Sequence, residues 1–257
     1  MQAAGPEIGP PMAGAYVPET RFGEWFQRTD IWRRYVVQEA IAELTSLLPA
    51  PSPSFRTILD AGCGEGVAFD ILARKFPLAA ITGVDINPDA VGAARHAAAV
   101  QAGRIQVHLA DSGRLPLDSG SVDLVLCHQL LHHCSDPDSV LAELRRVLAP
   151  GGWLLIAESC RAFLEWWPVR LLFRHPRRDQ HTADGYVALV AEAGFVVDPN
   201  RFLTPAPWWS RPDLGLRARM GGDAVVRNPT QVRIAAKKGP ASPPPATAAS
   251  HPPRAAG

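Results

Sequence analysis

Apolar residues recur along this chain with two different periods. From Phe22 to Leu48 they return at helical spacing (Phe22, Trp25, Phe26, then Ile31, Trp32, Tyr35, Val36, Ile41, Leu44 and Leu48), which predicts helix. Asp30 is the expected cap of its second part, because an aspartate side chain accepts from the free N–H groups of a first turn. Pro49-Ala50-Pro51-Ser52-Pro53 ends the segment. Beyond it, short apolar runs alternate with amphipathic stretches. Strands are expected at Ile58–Asp60, Ala80–Asp85, Ile105–Ala110, a run closing at Cys127-His128-Gln129, and Trp153–Glu158. Helices are expected from about Gly66 to Lys75, from Asn87-Pro88 to about Val100, behind Ser135-Asp136-Pro137 with Val140, Leu141, Leu144, Val147 and Leu148 on one face, and from Thr182 to a stop at Gly194. That alternation predicts an α/β protein with a parallel sheet and ligands at the carboxyl ends of the strands.

The strand ends carry the chemistry. The first runs into Asp60-Ala61-Gly62-Cys63-Gly64-Glu65-Gly66, a strand, a tight turn and a helix start. A dinucleotide fingerprint wants G-x-G-x-x-G, and here the third glycine falls one residue early. The second strand ends in Asp85, about 20 residues further on, where nucleotide-binding α/β folds place a carboxylate for the ribose hydroxyls. A carboxylate only accepts hydrogen bonds, which suits a diol donating two. The alternative for Asp85 is a turn acid. The third strand is followed by Asp111-Ser112, and then come Leu115-Pro116-Leu117-Asp118-Ser119-Gly120-Ser121-Val122-Asp123 and the Leu148-Ala149-Pro150-Gly151-Gly152-Trp153-Leu154-Leu155-Ile156 turn into strand five.

Together, over residues 56–159 or about 40% of the chain, these motifs resemble the class I S-adenosylmethionine-dependent methyltransferases, in their broad small-molecule branch. The resemblance implies a Rossmann-like, seven-stranded, mostly parallel sheet with an antiparallel last strand and helices on both faces. Phe195–Leu203 and Thr230–Ala236 match the final strand pair. It also implies S-adenosylmethionine as cofactor, Asp111 at the exocyclic amine of adenine, and a binding set of Asp60, Gly62, Cys63, Gly64, Gly66, Asp85, Ile86, Asp111, Ser112, Cys127 and His128. The helices ahead of the first strand become a lid, so Trp25 and Phe26 are either core packing or lid. Residues from about 160 to 182 become a substrate cap. The Arg- and Trp-rich composition there also fits a membrane-surface helix, but Pro168 and Pro176 interrupt it.

Composition sets limits. The 257 residues are 47% apolar, enough for one large domain, expected over 19–238 with its cofactor-binding core at 56–159. Gly-, Pro- and Ala-rich residues 1–18 and 239–257 are expected to be a disordered leader and tail. A net charge of +1 gives no general attraction to nucleic acid or acidic membranes. No apolar run reaches membrane-spanning length and no secretory signal is recognisable, so a cytoplasmic protein is expected. Four scattered cysteines give no metal-ligand or disulfide spacing.

Methyl transfer needs a base only if the acceptor is a hydroxyl or other protonated group, and His128 at the end of strand four is the candidate. Lining the cofactor site is its alternative role. His132 and His133 read as structural, and His175 and His181 as substrate contacts. No metal is expected, since the adjacent His132, His133 and Cys134 do not converge readily on a tetrahedron. The expected function is therefore methyl transfer from S-adenosylmethionine to a small, apolar or aromatic acceptor. Non-catalytic binding of S-adenosylmethionine is the alternative, and a nicotinamide-dependent oxidoreductase is disfavoured by the glycine spacing.

Overall fold

The computed structural model describes residues 17, 19–101, 103–176, 180–211, 214, 216, 220 and 228–240. The leader expected over 1–18 and the tail expected over 239–257 lie almost wholly outside these residues.

Seven strands form one sheet: β1 (Thr57–Ala61), β2 (Ala80–Asp85), β3 (Ile105–Leu109), β4 (Val122–His128), β5 (Leu148–Ser159), β6 (Phe195–Leu203) and β7 (Gln231–Lys238). Their order is β3-β2-β1-β4-β5-β7-β6, parallel from β3 through β5, with β7 antiparallel to both neighbours. The central strands are apolar at nearly every position because both faces are covered, and the period-two pleat deals their side chains to two cores. Leu124 and Leu126 of β4 and Leu155 of β5 pack on one face with Ile41, Leu44, Phe69 and Leu72. Val125, Cys127, Leu154 and Ile156 pack on the other with Leu141, Leu144, Tyr186 and Val190.

The first face is covered by α2 (Glu39–Ser46), α3 (Phe69–Lys75) and α4 (Pro88–Ala99), the second by α5 (Pro137–Val147) and α8 (Ala183–Glu192). Their starts follow local rules. Asn87 Oδ1 accepts from Asp89 N and Ala90 N with Pro88 as first residue, and the Asp136 and Thr182 side chains cap α5 and α8. The Leu115–Asp123 stretch is held mechanically. Arg146 donates to the carbonyls of Leu115 and Leu117, Glu143 accepts from Leu115 N, and Asp123 accepts from Arg56 N and Thr57 N.

Ahead of the sheet lie α1 (Arg21–Gln27) and a π-helical run, Trp32–Gln38, continuous with α2. Asp30 does not cap this second part. Thr29 does, accepting from Trp32 N at 3.2 Å, while Asp30 pairs with Arg33. After β5 come α6 (Arg161–Leu164) and α7 (Trp167–Leu172), each too short for the continuous apolar face of a membrane-surface helix. Among the described residues no helix is long and apolar enough to cross a membrane.

Candidate functional site

The carboxyl ends of β1, β2 and β4 open into a cavity of about 820 Å³. Its floor is the glycine turn. Gly62 N and Cys63 N both donate to Val84 O, and Gly64 N donates to Asp85 Oδ2 at 2.8 Å, so the turn hangs from the end of β2. Asp85 Oδ1 accepts from Asn87 N at 2.9 Å. Asp85 thus does the work of a turn acid and still faces the cavity, where each oxygen keeps a second lone pair. Asp111 Oδ1 accepts from Gly113 N at 2.8 Å, and Asp111 and Ser112 line the same wall.

Asp60 is 2% exposed, and its Oδ2 has no hydrogen-bond partner. Burial, then the nearby Asp85, raise its carboxyl to about 7. A buried acceptor without a donor is costly, so this corner of the cavity suits a cationic or hydrogen-bond-donating ligand. An α-amino acid ammonium and a sulfonium meet that requirement, and the glycine turn gives such a ligand room.

A roof closes over the floor from two parts of the chain. Phe22 and Phe26 of α1 pack edge-on against Phe173, Arg174 N donates to Glu19 Oε1 at 2.8 Å, and Thr20 Oγ1 donates to Leu172 O. Arg28 pairs with Glu65 of the glycine turn at 2.7 Å, tying roof to floor. The π-helical run supplies Trp32 and Val36 to the wall, and its spare carbonyls take side-chain donors: Tyr35 O from Trp209 Nε1, Val36 O facing His128 Nε2 at 3.4 Å. Phe163, Trp166, Phe173 and Trp209 complete an aromatic lining.

His128 lies in that wall, edge-on to Trp32. Burial, then the positive Arg233, lower its pKa to about 3. Burial thus keeps the imidazole neutral on the cavity wall, the position that both the base and the cofactor-lining reading of His128 require. Beyond it, Gln129 adopts φ +53° and joins a buried network: its Oε1 accepts from Ser159 Oγ, which accepts from Gln231 Nε2.

Of the residues expected to bind cofactor, Asp60, Gly62, Cys63, Gly64, Asp85, Ile86, Asp111, Ser112 and His128 line the cavity. Two do not. Cys127 points into the opposite core because the pleat reverses between it and His128, and Gly66 lies beneath the turn against Phe69. Of the lid aromatics Phe26 faces the cavity, whereas Trp25 is 59% exposed. His181 packs on Tyr186 instead of facing the cavity, while His175 lines it.

Sequence reasoning passed over Glu158. It is fully buried at the end of β5, where Oε1 accepts from Leu130 N and Leu131 N and Oε2 bonds His132 Nδ1 at 2.5 Å. The signal was present: Glu158, like Asp60 and Asp85, is an acid closing an apolar strand.

Residues 59–156 match a model described as a methyltransferase domain. Over that stretch the chain is similar to S-adenosylmethionine-dependent methyltransferases. Among curated relatives, the chain is 33% identical over 140 residues to the malonyl-[acyl-carrier protein] O-methyltransferase of Laribacter hongkongensis, covering 51% of this chain and 46% of that protein. It is 36% identical over 114 residues to the ubiquinone biosynthesis O-methyltransferase of Paracidovorax citrulli, covering 42% and 47%. The chain spans about half the length, or less, of the curated relatives it matches. The solved S-adenosylmethionine-dependent methyltransferase of Mesorhizobium loti shares the fold, with a TM-score of 0.57 at 20% identity over 76% of this chain and 96% of that one.

Proposed function

We propose that this chain transfers the methyl group of S-adenosylmethionine to a small, apolar or aromatic molecule. The observation that carries the reading is the unpartnered Oδ2 of Asp60, buried beside the glycine turn and Asp85 on the wall of a roofed cavity. When bound, S-adenosylmethionine supplies a methyl group already activated on a sulfonium, so the chain has to orient, enclose and dehydrate. Asp60 would accept from the donor-rich end of the cofactor, Asp85 from its ribose hydroxyls, and Asp111 and Ser112 would face its adenine. The aromatic wall supports an apolar acceptor and keeps water out. The malonyl-carrier and ubiquinone-biosynthesis relatives, both O-methyltransferases, support an oxygen acceptor. Four unpaired cysteines fit a cytoplasmic setting.

The test is incubation of the purified chain with methyl-labelled S-adenosylmethionine and a lysate of the source cells. The mixture is then split into organic-soluble, small aqueous and macromolecular fractions. Label in either small-molecule fraction is the expected result. The second reading is a non-catalytic binder, favoured by the low basicity of His128. It wins if calorimetry shows cofactor binding while no fraction gains label.

A further inference from the structure

Three imidazoles that the cofactor does not need meet under the roof. His132 and His133 stand on the single turn Leu131–His133 after β4, and His175 follows α7. Their ring centroids lie 4.2, 5.2 and 5.0 Å apart, and one ring nitrogen of each lies within 4.8 Å of the other two. The obstacle seen in the sequence, that three consecutive residues cannot surround one ion, disappears because the third side chain is not Cys134. It comes from the cap, 42 residues beyond His133.

Two further observations concern the ligand atoms. His132 Nδ1 bonds to Glu158 Oε2, and Glu158 is itself fixed by two backbone N–H groups. A carboxylate only accepts, so Nδ1 carries a hydrogen and Nε2 is the nitrogen left to face a metal, the arrangement that orients metal-binding histidines. The ring nitrogens of His133 and His175 make no hydrogen bond among the described residues, although both rings are half-buried. All three histidines also line the cavity, the side from which a fourth ligand would come.

We propose that His132, His133 and His175 bind a divalent transition-metal ion of the zinc type, with Glu158 positioning His132. Neutral imidazole suits zinc, copper, nickel and iron, and three protein nitrogens with one open position is the pattern of a site that receives a substrate. Metal–nitrogen bonds of about 2.0–2.1 Å bring tetrahedral ligands to roughly 3.4 Å from one another. The closure comes from Phe173–Pro176, which lies outside any helix. If the chain methylates an oxygen, as proposed above, the open position takes that oxygen and selects acceptors bearing a hydroxyl or carboxylate.

The test titrates cobalt(II), as a visible-absorbing stand-in, into the untagged, chelator-stripped full chain without S-adenosylmethionine. One equivalent with the absorption of a four- or five-coordinate nitrogen site is expected. His133→Ala and His175→Ala should each weaken binding about tenfold or more, whereas His96→Ala on the exposed face of α4 leaves it unchanged. Glu158→Gln puts a donor against Nδ1, moves the ring hydrogen to Nε2 and should cost about 10- to 100-fold in affinity. If Glu158→Gln does not fold, the two alanine variants decide. No cobalt absorption, or wild-type affinity in both alanine variants, overturns the proposal. Binding is read without methyl transfer, so its failure leaves the methyltransferase reading standing, and an inactive chain that binds cobalt leaves the metal site standing.

Discussion

Burial and the neighbouring Asp85 raise the Asp60 carboxyl to about 7, so near neutrality the ligand-free protein carries much of this group protonated. Its folded pKa is above the ordinary 3.8, so its contribution to stability is complete below 3.8 and is lost as pH rises towards and through 7. A cation bound against Asp60 reverses this by favouring the carboxylate. Binding of S-adenosylmethionine should then release a proton below pH 7 and tighten about tenfold between pH 6 and pH 8, levelling off above 7. Calorimetry in two buffers of different ionisation enthalpy measures both, and Asp60→Asn should flatten the profile. A flat profile in the unmodified chain would place the cation elsewhere. Asp60 was legible in the sequence because an acid ending an apolar run is a local signal. Cys127 was misplaced because counting to a strand end does not say which way the pleat faces. Thr29 takes the cap expected of Asp30 because both residue types are good caps and only the hydrogen bond decides.

The glycine turn separates two demands that look alike in sequence. Gly66 has φ +81°, and a Cβ there would stand 2.6 Å from the Phe69 ring. Gly66→Ala should therefore cost roughly 3 kcal/mol of stability, from left-handed backbone strain and overpacking combined. Gly64, at φ +53°, has nothing within 4 Å of such an atom. Gly64→Ala should cost only about 1–2 kcal/mol in stability, while its methyl group occupies ligand space and weakens cofactor binding. Thermal unfolding and calorimetry on the two variants give opposite orders of damage if the assignment holds. Strands, helices and most caps were legible because period, capping residues and prolines act within a few positions. The π-helical run was not: the partners of its carbonyls, Trp209 and His128, come from distant segments. The convergence of His175 on His132 and His133 was invisible for the same reason.

At the scale of the molecule, floor and roof are built from different parts of the chain. The floor comes from loops after β1 to β4, while the roof comes from α1, the π-helical run and the segment around α7. The roof segments hold each other through Phe22, Phe26 and Phe173 and meet the floor through Arg28 and Glu65. Ligand binding should slow amide hydrogen exchange in 19–36 and 163–175 together, because the two segments pack on each other. Slowing confined to 60–66 and 85–90 would mean the roof does not respond to the cofactor.

The division of the cavity also has a consequence for how such a protein can change. Because its roof is donated by segments lying outside the β1–β4 stretch, the acceptor selectivity proposed above would be separable from cofactor binding. Exchanging 19–36 and 163–175 for those of another protein with this sheet leaves Asp60, Asp85 and Asp111 untouched. The fold is in that sense a fixed engine with an interchangeable nozzle, and grafts at two seams are the economical route to a new acceptor.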